Sequence, residues 1–315
     1  ILQYKDKFIN NSLKNGYKKE FVDWCWTIFE ASGNYSFNRS HAMGYGTLTA
    51  ICGWLKANYP LEYFVSLLNS AKNEQDPLDE ISKIQAELIN FNVKMLPPNI
   101  IKSDLGFKIE GSNIRMGVGE IKGIAGKNIE KLQKFKHQYS NKFDIMNAAH
   151  ENKIPINILV NIIITGGFDD MLSKNSRAIT MLESCLWNLL SQKERVWAMK
   201  LGKDFGYDLI EIIKALNEKI RDEKGKFIIK DSRRGTIRKN FQPFMDVYNY
   251  NKKNSEIFSF ISERELLGFS YSSNLYNIYK PQVENLVPIS EVVGDLDDTK
   301  VKFVAEVTEC KLGTT

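Results

Sequence analysis

Asn38, Arg39, Ser40 and His41 set an amide, a guanidinium, a hydroxyl and an imidazole in consecutive positions. They stand where the chain enters an apolar helical stretch that runs through Gly44, Tyr45 and Gly46 to Trp54, Leu55 and Lys56. A helix N-terminus carries unpaired N–H groups and a partial positive charge, so such a cluster suits an anion, phosphate above all. The same residues also suit an ordinary cap, with Asn38 or Ser40 accepting a backbone N–H and Arg39 in water. On local chemistry both readings stand.

A second stretch with chemical content is Gly117-Val118-Gly119-Glu120-Ile121-Lys122-Gly123-Ile124-Ala125-Gly126-Lys127. Its glycines bring backbone close to something. The turn Gly123–Gly126, set between two short helices, presents N–H groups to a phosphate with Lys122 and Lys127 beside it. A dinucleotide-binding loop belongs to a βαβ unit with an acidic residue placed for the ribose, and no β-strand and acidic-residue context of that kind surrounds these glycines. A turn that needs glycine for geometry alone is the other reading. Between Lys224 and Lys239 a third stretch gathers Lys224, Lys226, Lys230, Arg233, Arg234, Arg238 and Lys239 against one acid, Asp231. It is either a solvated loop or a contact for a phosphate backbone.

The elements that must position these groups are mostly helical. Aromatic mass (Phe21, Trp24, Trp26, Phe29) marks a helix over Glu20–Ala31, broken at Gly33–Ser36. Leu48, Ile51, Cys52 and Leu55 follow at helical spacing and predict a buried stripe, with Tyr45 and His41 one and two turns back on the same side. Pro60 fits the first position of another helix, with Leu61, Phe64, Val65 and Leu68 inside. A third follows Asp76-Pro77, with Ile81, Ile84, Leu88 and Phe91 inside. Met95 to Asn99, with two prolines, reads as a rigid extended connection. Phe107–Ile109 and Ile114–Met116 alternate around Glu110–Asn113 as a small hairpin.

Further on, Ile156, Leu159, Val160 and Ile163 predict a buried stripe closed by Thr165–Asp169, and helices continue to about Asn217. Phe244–Phe260 looks helical again. Lys300–Glu309 is the clearest strand, with nothing after it in the sequence to pair it, so the chain is expected to stop inside a β domain.

Composition bounds the rest. A chain of 315 residues, 43% hydrophobic and 26% charged, is long enough for two or three small domains with real cores. Its apolar runs are too short for a bilayer, and no secretory signal opens it, so a cytoplasmic location is expected. It does not begin with Met, which suggests a processed piece, an excised segment or an incomplete reading frame. Cys25, Cys52, Cys185 and Cys310 show no zinc-ligand spacing and read as free thiols. No metal site is expected. A net charge of +5 is a weak pointer to a polyanionic partner.

FNRSHAMGYG…WLKANYP, MLPPNI, GVGEIKGIAGKNIEKL, ITGGFDDM and ERELLGFSYSSNLYNIY occur in this order along the chain. Together they resemble the replicative bacterial DNA polymerase III alpha subunit, the C family of DNA polymerases, from the late fingers domain onward. The resemblance implies a mainly α fold in three parts. Residues 1–95 would be the end of the fingers. Residues 96–260 would be a helix-hairpin-helix DNA-binding domain with a small β-hairpin and the basic segment 224–239. Residues 261–315 would be a linker and the first strand of an OB-fold. Two departures stand out: Ala125 lies where the family has Gly-h-Gly, and Gly44 and Gly46 loosen a first helical turn. The Lys, Asn and Ile bias of Ser173–Ser262 suggests an AT-rich source, a phage or mobile element.

By resemblance, Asn38, Arg39, Ser40, His41 and Tyr45 would face the triphosphate of an incoming dNTP. Lys122, Gly123, Gly126 and Lys127 would grip the backbone of the DNA primer-template duplex, and Arg233, Arg234, Arg238 and Lys239 would extend that track. Gln242-Pro243-Phe244-Met245 stands where the family carries its sliding-clamp peptide, while the same residues also suit plain helix core. Polymerases use paired carboxylates to hold two Mg2+ ions. In this family those lie in the palm, ahead of the fingers motif, and nothing here resembles them: Asp169-Asp170 belongs to the GGFDD turn, and Asp295, Asp297 and Asp298 lie beside the late strand. The expectation is a nucleotidyltransferase segment with no catalytic residue of its own, inactive without a palm-containing polypeptide. The alternative is a non-enzymatic, sequence-independent DNA-binding module derived from such a polymerase.

Overall fold

In a computed structural model the described residues are 4–34, 39–124, 127–135, 137–172, 176–251, 255–291 and 300–305. They fall into two compact units, 1–60 and 61–315, each described by itself.

In the first unit α1 (Lys5–Lys14) and α2 (Lys19–Asn34) pack as a hairpin, followed by α3 (Arg39–Asn58). Phe8 meets Trp26 and Phe29 with ring centroids 5.7 and 5.3 Å away, and Val22 and Trp26 are buried. The expected stripe on α3 is not buried: Leu48, Ile51, Cys52 and Leu55 are all exposed. Helical spacing declares an amphipathic face without saying what covers it.

The second unit begins within α4 (Pro60–Ser70), one residue after its start, and continues with α5 (Pro77–Leu88). Pro60 takes the first position of α4, where its missing N–H costs nothing. Asp76 caps α5 by accepting the Asp79 N–H at 3.2 Å. Phe64, Leu68, Ile81, Ile84 and Leu88 go into the core as their spacing predicts.

The expected two-stranded hairpin is a three-stranded sheet. Strand β1 (Met95–Leu96) lies parallel to β3 (Asn113–Arg115), and β2 (Lys108–Glu110) pairs antiparallel on its other side. The register sets Met95 opposite Ile114 and Ile109 opposite Ile114. Arg115 is buried and forks onto the Glu110 carboxylate while donating to the Pro97 carbonyl at 2.8 Å.

Helices follow: α6 (Lys127–Phe135), α7 (Lys142–Glu151), α8 (Ile156–Ile164), α9 (Arg177–Leu189), α10 (Gln192–Leu201), α11 (Leu209–Glu218), α12 (Asp231–Asn251), α13 (Ser255–Leu267) and α14 (Leu275–Tyr279). On α8 the buried face is Ile158, Leu159, Ile162 and Ile163, so Ile156 and Val160 sit at its margin rather than in it. In a helix where almost every position is apolar, spacing alone cannot choose the face. A main core joins α4, α5, the sheet, α6 and α8 around Phe64, Ile114, Ile121, Leu132 and Ile162. A second core gathers Phe143, Trp187, Leu209, Ile212 and Ile229.

The basic stretch is not one loop. From Asp231 onward it is the start of α12, which runs through Phe244 to Asn251. Near the C-terminus, Lys302 makes a single parallel bridge to Leu286, and the Val287 N–H donates to its carbonyl at 2.9 Å. The late strand thus has a partner at one position, and its residues 306–309 lie outside the described residues. No helix among the described residues is long and apolar enough to cross a membrane.

Candidate nucleic-acid interface

The glycines of the second motif lie against the chain's own backbone. A Cβ on Gly117 would stand 2.1 Å from the Leu105 carbonyl oxygen, and the Val118 and Gly119 N–H groups donate to Asp104 and Leu105 at 3.0 and 2.9 Å. This close approach seats the single helical turn Val118–Glu120, whose flanking Val118 and Ile121 enter the main core. Gly123 then takes φ +90°, a conformation L side chains rarely adopt, and Ile124 returns to the core.

Two hydrogen bonds hold the peptide groups of Lys122 at this turn. Its N–H donates to the Leu266 carbonyl of α13 at 2.9 Å, and its carbonyl accepts from Asn161 Nδ2 of α8 at 3.0 Å. The Lys122 side chain itself is exposed. The turn is therefore a fixed mount for a cation. Ala125 and Gly126 lie outside the described residues. Lys127 opens α6, but its side chain is also outside them.

On α6, Leu132 and Phe135 are buried and Lys134 is exposed. Lys131 reaches across to donate to the Lys153 carbonyl at 3.1 Å. Lys153 is exposed in the turn between α7 and α8 at φ +54°, held by the Ile154 N–H donating to Ala149 at 2.8 Å. The sequence reading missed this second cationic turn. Its signal is Asn152-Lys153-Ile154-Pro155, a polar pair and a proline between two apolar runs.

The basic segment divides by what its members touch. Arg233 forks onto Glu194 at 3.1 and 2.7 Å and donates to the Leu189 carbonyl at 3.0 Å. Arg234 donates to the Asn217 carbonyl and stands 5.3 Å from the Phe227 ring centroid. These two guanidiniums bond to neighbouring helices, and both stay partly exposed. Arg238 and Lys239 are exposed on α12, as are Lys224 and Lys226 in the preceding turn. The structure does not bring them to the Lys122 turn by any direct bond among those described.

In the first unit α3 starts at Arg39, so Arg39, Ser40 and His41 occupy its first turn. The His41 and Tyr45 rings lie 4.3 Å apart, one turn from each other, on an exposed surface. Asn38 lies outside the described residues, as do the side chains of Arg39 and Ser40. Gln242 to Met245 lie within α12, where Gln242 donates to Asp246 at 2.8 Å and Phe244 is exposed.

The carboxylates beside the GGFDD turn are occupied by cations. Asp170 accepts from Lys102 at 2.6 Å, which holds its carboxyl below the usual range. Asp169 pairs with Arg177. Among the described residues there is no group of three or more His, Cys, Asp or Glu side chains that could hold a metal ion. Asp295, Asp297 and Asp298 lie outside the described residues.

The sequence reading also missed the buried charges behind the turn. Arg177 is 3% exposed and Glu263 0% exposed, and they join at 2.7 Å. Tyr271 accepts from Arg177 at 2.7 Å and donates to the Thr165 carbonyl at 2.9 Å. Burial pushes the Tyr271 hydroxyl above the ordinary phenol range, which keeps it a donor.

Residues 92–179 match the family described as a helix-hairpin-helix motif, a span that contains the Lys122 turn and α6 to α8. The chain is similar to the DNA polymerase III subunit alpha of Aquifex aeolicus (strain VF5), 36% identical over 174 residues, which is 54% of this chain and 15% of that protein. The corresponding subunit of Chlamydia trachomatis serovar D is 26% identical over 211 residues, 66% of this chain and 17% of that protein. That of Buchnera aphidicola subsp. Schizaphis graminum is 29% identical over 190 residues, 59% and 16%. The chain thus spans about a sixth of the length of the curated relatives it matches.

Proposed function

We propose that this chain, a relative of the DNA polymerase III alpha subunits, holds duplex DNA by its sugar-phosphate backbone through the turn at Lys122 and Gly123. The observation that carries this reading is the exposed Lys122 ammonium on a turn fixed from two sides, inside the span that matches the helix-hairpin-helix family. A fixed cation beside a glycine turn positions phosphate without reading base edges. Lys153 and Lys134 supply further exposed cations on the same run of helices. Fluorescence anisotropy with the full chain and several duplexes of unrelated sequence, across a salt series, tests it. Lys122→Ala is expected to weaken all duplexes equally and to lower the salt slope by about one phosphate contact. A loss confined to one sequence counts against backbone binding.

A second reading concerns α3 and is favoured by the placement of Arg39, Ser40 and His41 in its first turn, with the Tyr45 ring tilted against His41 at 4.3 Å. These residues, with Asn38, contact the triphosphate of an incoming dNTP in a nucleotidyltransferase whose Mg2+-holding carboxylates lie in a palm beyond this chain. Charge-assisted bonds at a helix start stabilise the charge that develops in phosphoryl transfer. On this reading the chain by itself extends no primer. Combined with a palm-bearing polypeptide it does, and Arg39→Ala or His41→Ala raises KM for dNTP. Wild-type KM and rate in both variants would sink the assignment. No extension with any such partner favours the alternative, a DNA-binding module without polymerase activity.

A further inference from the structure

Arg177 stands at the centre of a buried polar network that spans three separate parts of the second unit. Its Nε donates to Asp169 Oδ1 at 2.9 Å, one terminal nitrogen donates to Glu263 Oε1 at 2.7 Å, and the other to the Tyr271 hydroxyl at 2.7 Å. Glu263 spends its other oxygen on the Ser270 hydroxyl at 2.8 Å and on the N–H groups of Tyr271 and Ser272, both at 3.0 Å. Space is reserved for this arrangement: a Cβ on Gly166 would lie 2.0 Å from the Tyr271 oxygen and 2.4 Å from the guanidinium.

A buried ion pair contributes little net stability, because desolvation offsets the attraction. Its forked, directional bonds do fix angles, which an apolar plug does not. The elements it fixes are the ones that hold the hairpin turn. Glu263 lies one helical turn before Leu266, whose carbonyl receives the Lys122 N–H. Tyr271 ties the network to Thr165 at the end of α8, and Thr165 Oγ1 donates at 2.6 Å to the carbonyl of Asn161, whose side-chain amide donates to the Lys122 carbonyl. Both bonds to the Lys122 peptide groups therefore trace back to one guanidinium.

We propose that Arg177 is a positioning residue for the hairpin turn, setting the placement of Lys122 through Glu263 and α13 on one side and through Thr165 and α8 on the other. The proposal deepens the DNA-backbone reading above and rests on it for its effect on binding; its effect on the turn is independent of that reading.

The test uses the full chain, with Glu263→Gln, which turns a donor toward Arg177, and with Arg177→Lys and Arg177→Met. Hydrogen exchange is read at the Lys122 amide and, as a reference, at the Ile114 amide, which donates to the Lys94 carbonyl at 3.0 Å in the sheet. In Glu263→Gln and Arg177→Met the Lys122 amide is expected to exchange about tenfold faster with Ile114 held within about twofold. Duplex affinity is expected to fall by about fivefold with a shallower salt slope. Arg177→Lys, which keeps the charge and loses the fork, recovers part of both. If Glu263→Gln does not fold, the two arginine variants carry the same comparison. Lys122 exchange unchanged in a folded variant, or acceleration equal at Lys122 and Ile114, overturns the proposal. If instead Lys122 exchange responds while wild-type binding is indifferent to Lys122→Ala, the DNA reading falls and the positioning role stands.

Discussion

The backbone of Gly268 rests on the carbonyl oxygen of Leu78, so close that a Cβ would lie 2.4 Å from it, and its φ is +87°. This contact seats the end of α13 on the first turn of α5, with the Gly268 N–H closing the helix by donating to Arg264 at 3.1 Å. Glycine is required twice over, by the positive φ and by the approach of main chain to main chain. Gly268→Ala is expected to destabilise the second unit by about 2–5 kcal/mol, combining strain and overpacking. A urea midpoint equal to wild type would show that the two backbones separate at little cost.

Asn69 serves the start of β2 from outside the sheet. Its Oδ1 accepts the Phe107 N–H at 2.9 Å and its Nδ2 donates to the Phe107 carbonyl at 3.0 Å, as a neighbouring strand would. Asn69→Ala leaves both groups unpaired and is expected to cost about 1–3 kcal/mol. Exchange at the Phe107 amide reads the same change locally, and an unaffected amide would contradict it.

Glu194 and Arg233 make stability depend on acid. Burial pushes the Glu194 carboxyl up, but the Arg233 fork and the Ser191 N–H and hydroxyl outweigh it and hold the group below its ordinary value. A depressed carboxyl contributes stability that is present above its unfolded pKa and is lost as pH falls through the folded value. Arg233→Met is expected to cost about 2–3 kcal/mol at pH 7, at the low end for a broken buried pair because Arg233 is partly exposed. The cost shrinks as pH drops below the carboxylate range. Equal urea midpoints for wild type and variant at pH 7 would refute the coupling.

The cysteines differ in reactivity. Burial pushes the Cys185 thiol up to about 11, whereas Cys52 is exposed on α3. Iodoacetamide at pH 8 is expected to alkylate Cys52 in the native chain and to reach Cys185 only after denaturation, because the thiolate is the nucleophile. Site-resolved mass spectrometry gives the order, and equal rates would show that α9 opens in the native state.

What the amino-acid sequence discloses here is local. The Asp76-Pro77 start, the Phe64 and Leu68 pair and the Ile109/Ile114 hairpin are set by neighbours a few residues away, and the structure holds them as expected. The hairpin turn around Gly123 is legible for the same reason, since its φ is a property of one residue. What escapes is pairing across distance. Two-residue β1 has no period of its own, so its parallel partner β3 is invisible until the fold forms. Arg177 and Glu263 look like solvent-facing charges because periodicity assigns charges outward, while their partners lie far along the chain. Arg233 and Arg234 look like a basic track because the acceptors on Glu194, Leu189 and Asn217 belong to other helices. The Leu48–Leu55 stripe is the converse case: its spacing is as expected and its burial is not.

The bond from the Lys122 N–H to the Leu266 carbonyl also has a place in time. Synthesis is directional, so the glycine turn leaves the ribosome long before α13 exists. Until α13 arrives, the turn has at most the α8 side of its mount, and a contact of such long range forms late. The proposed grip on a phosphate backbone would thus belong to the folded second unit, and a nascent chain carries the turn's residues before it carries the Leu266 side of their mount.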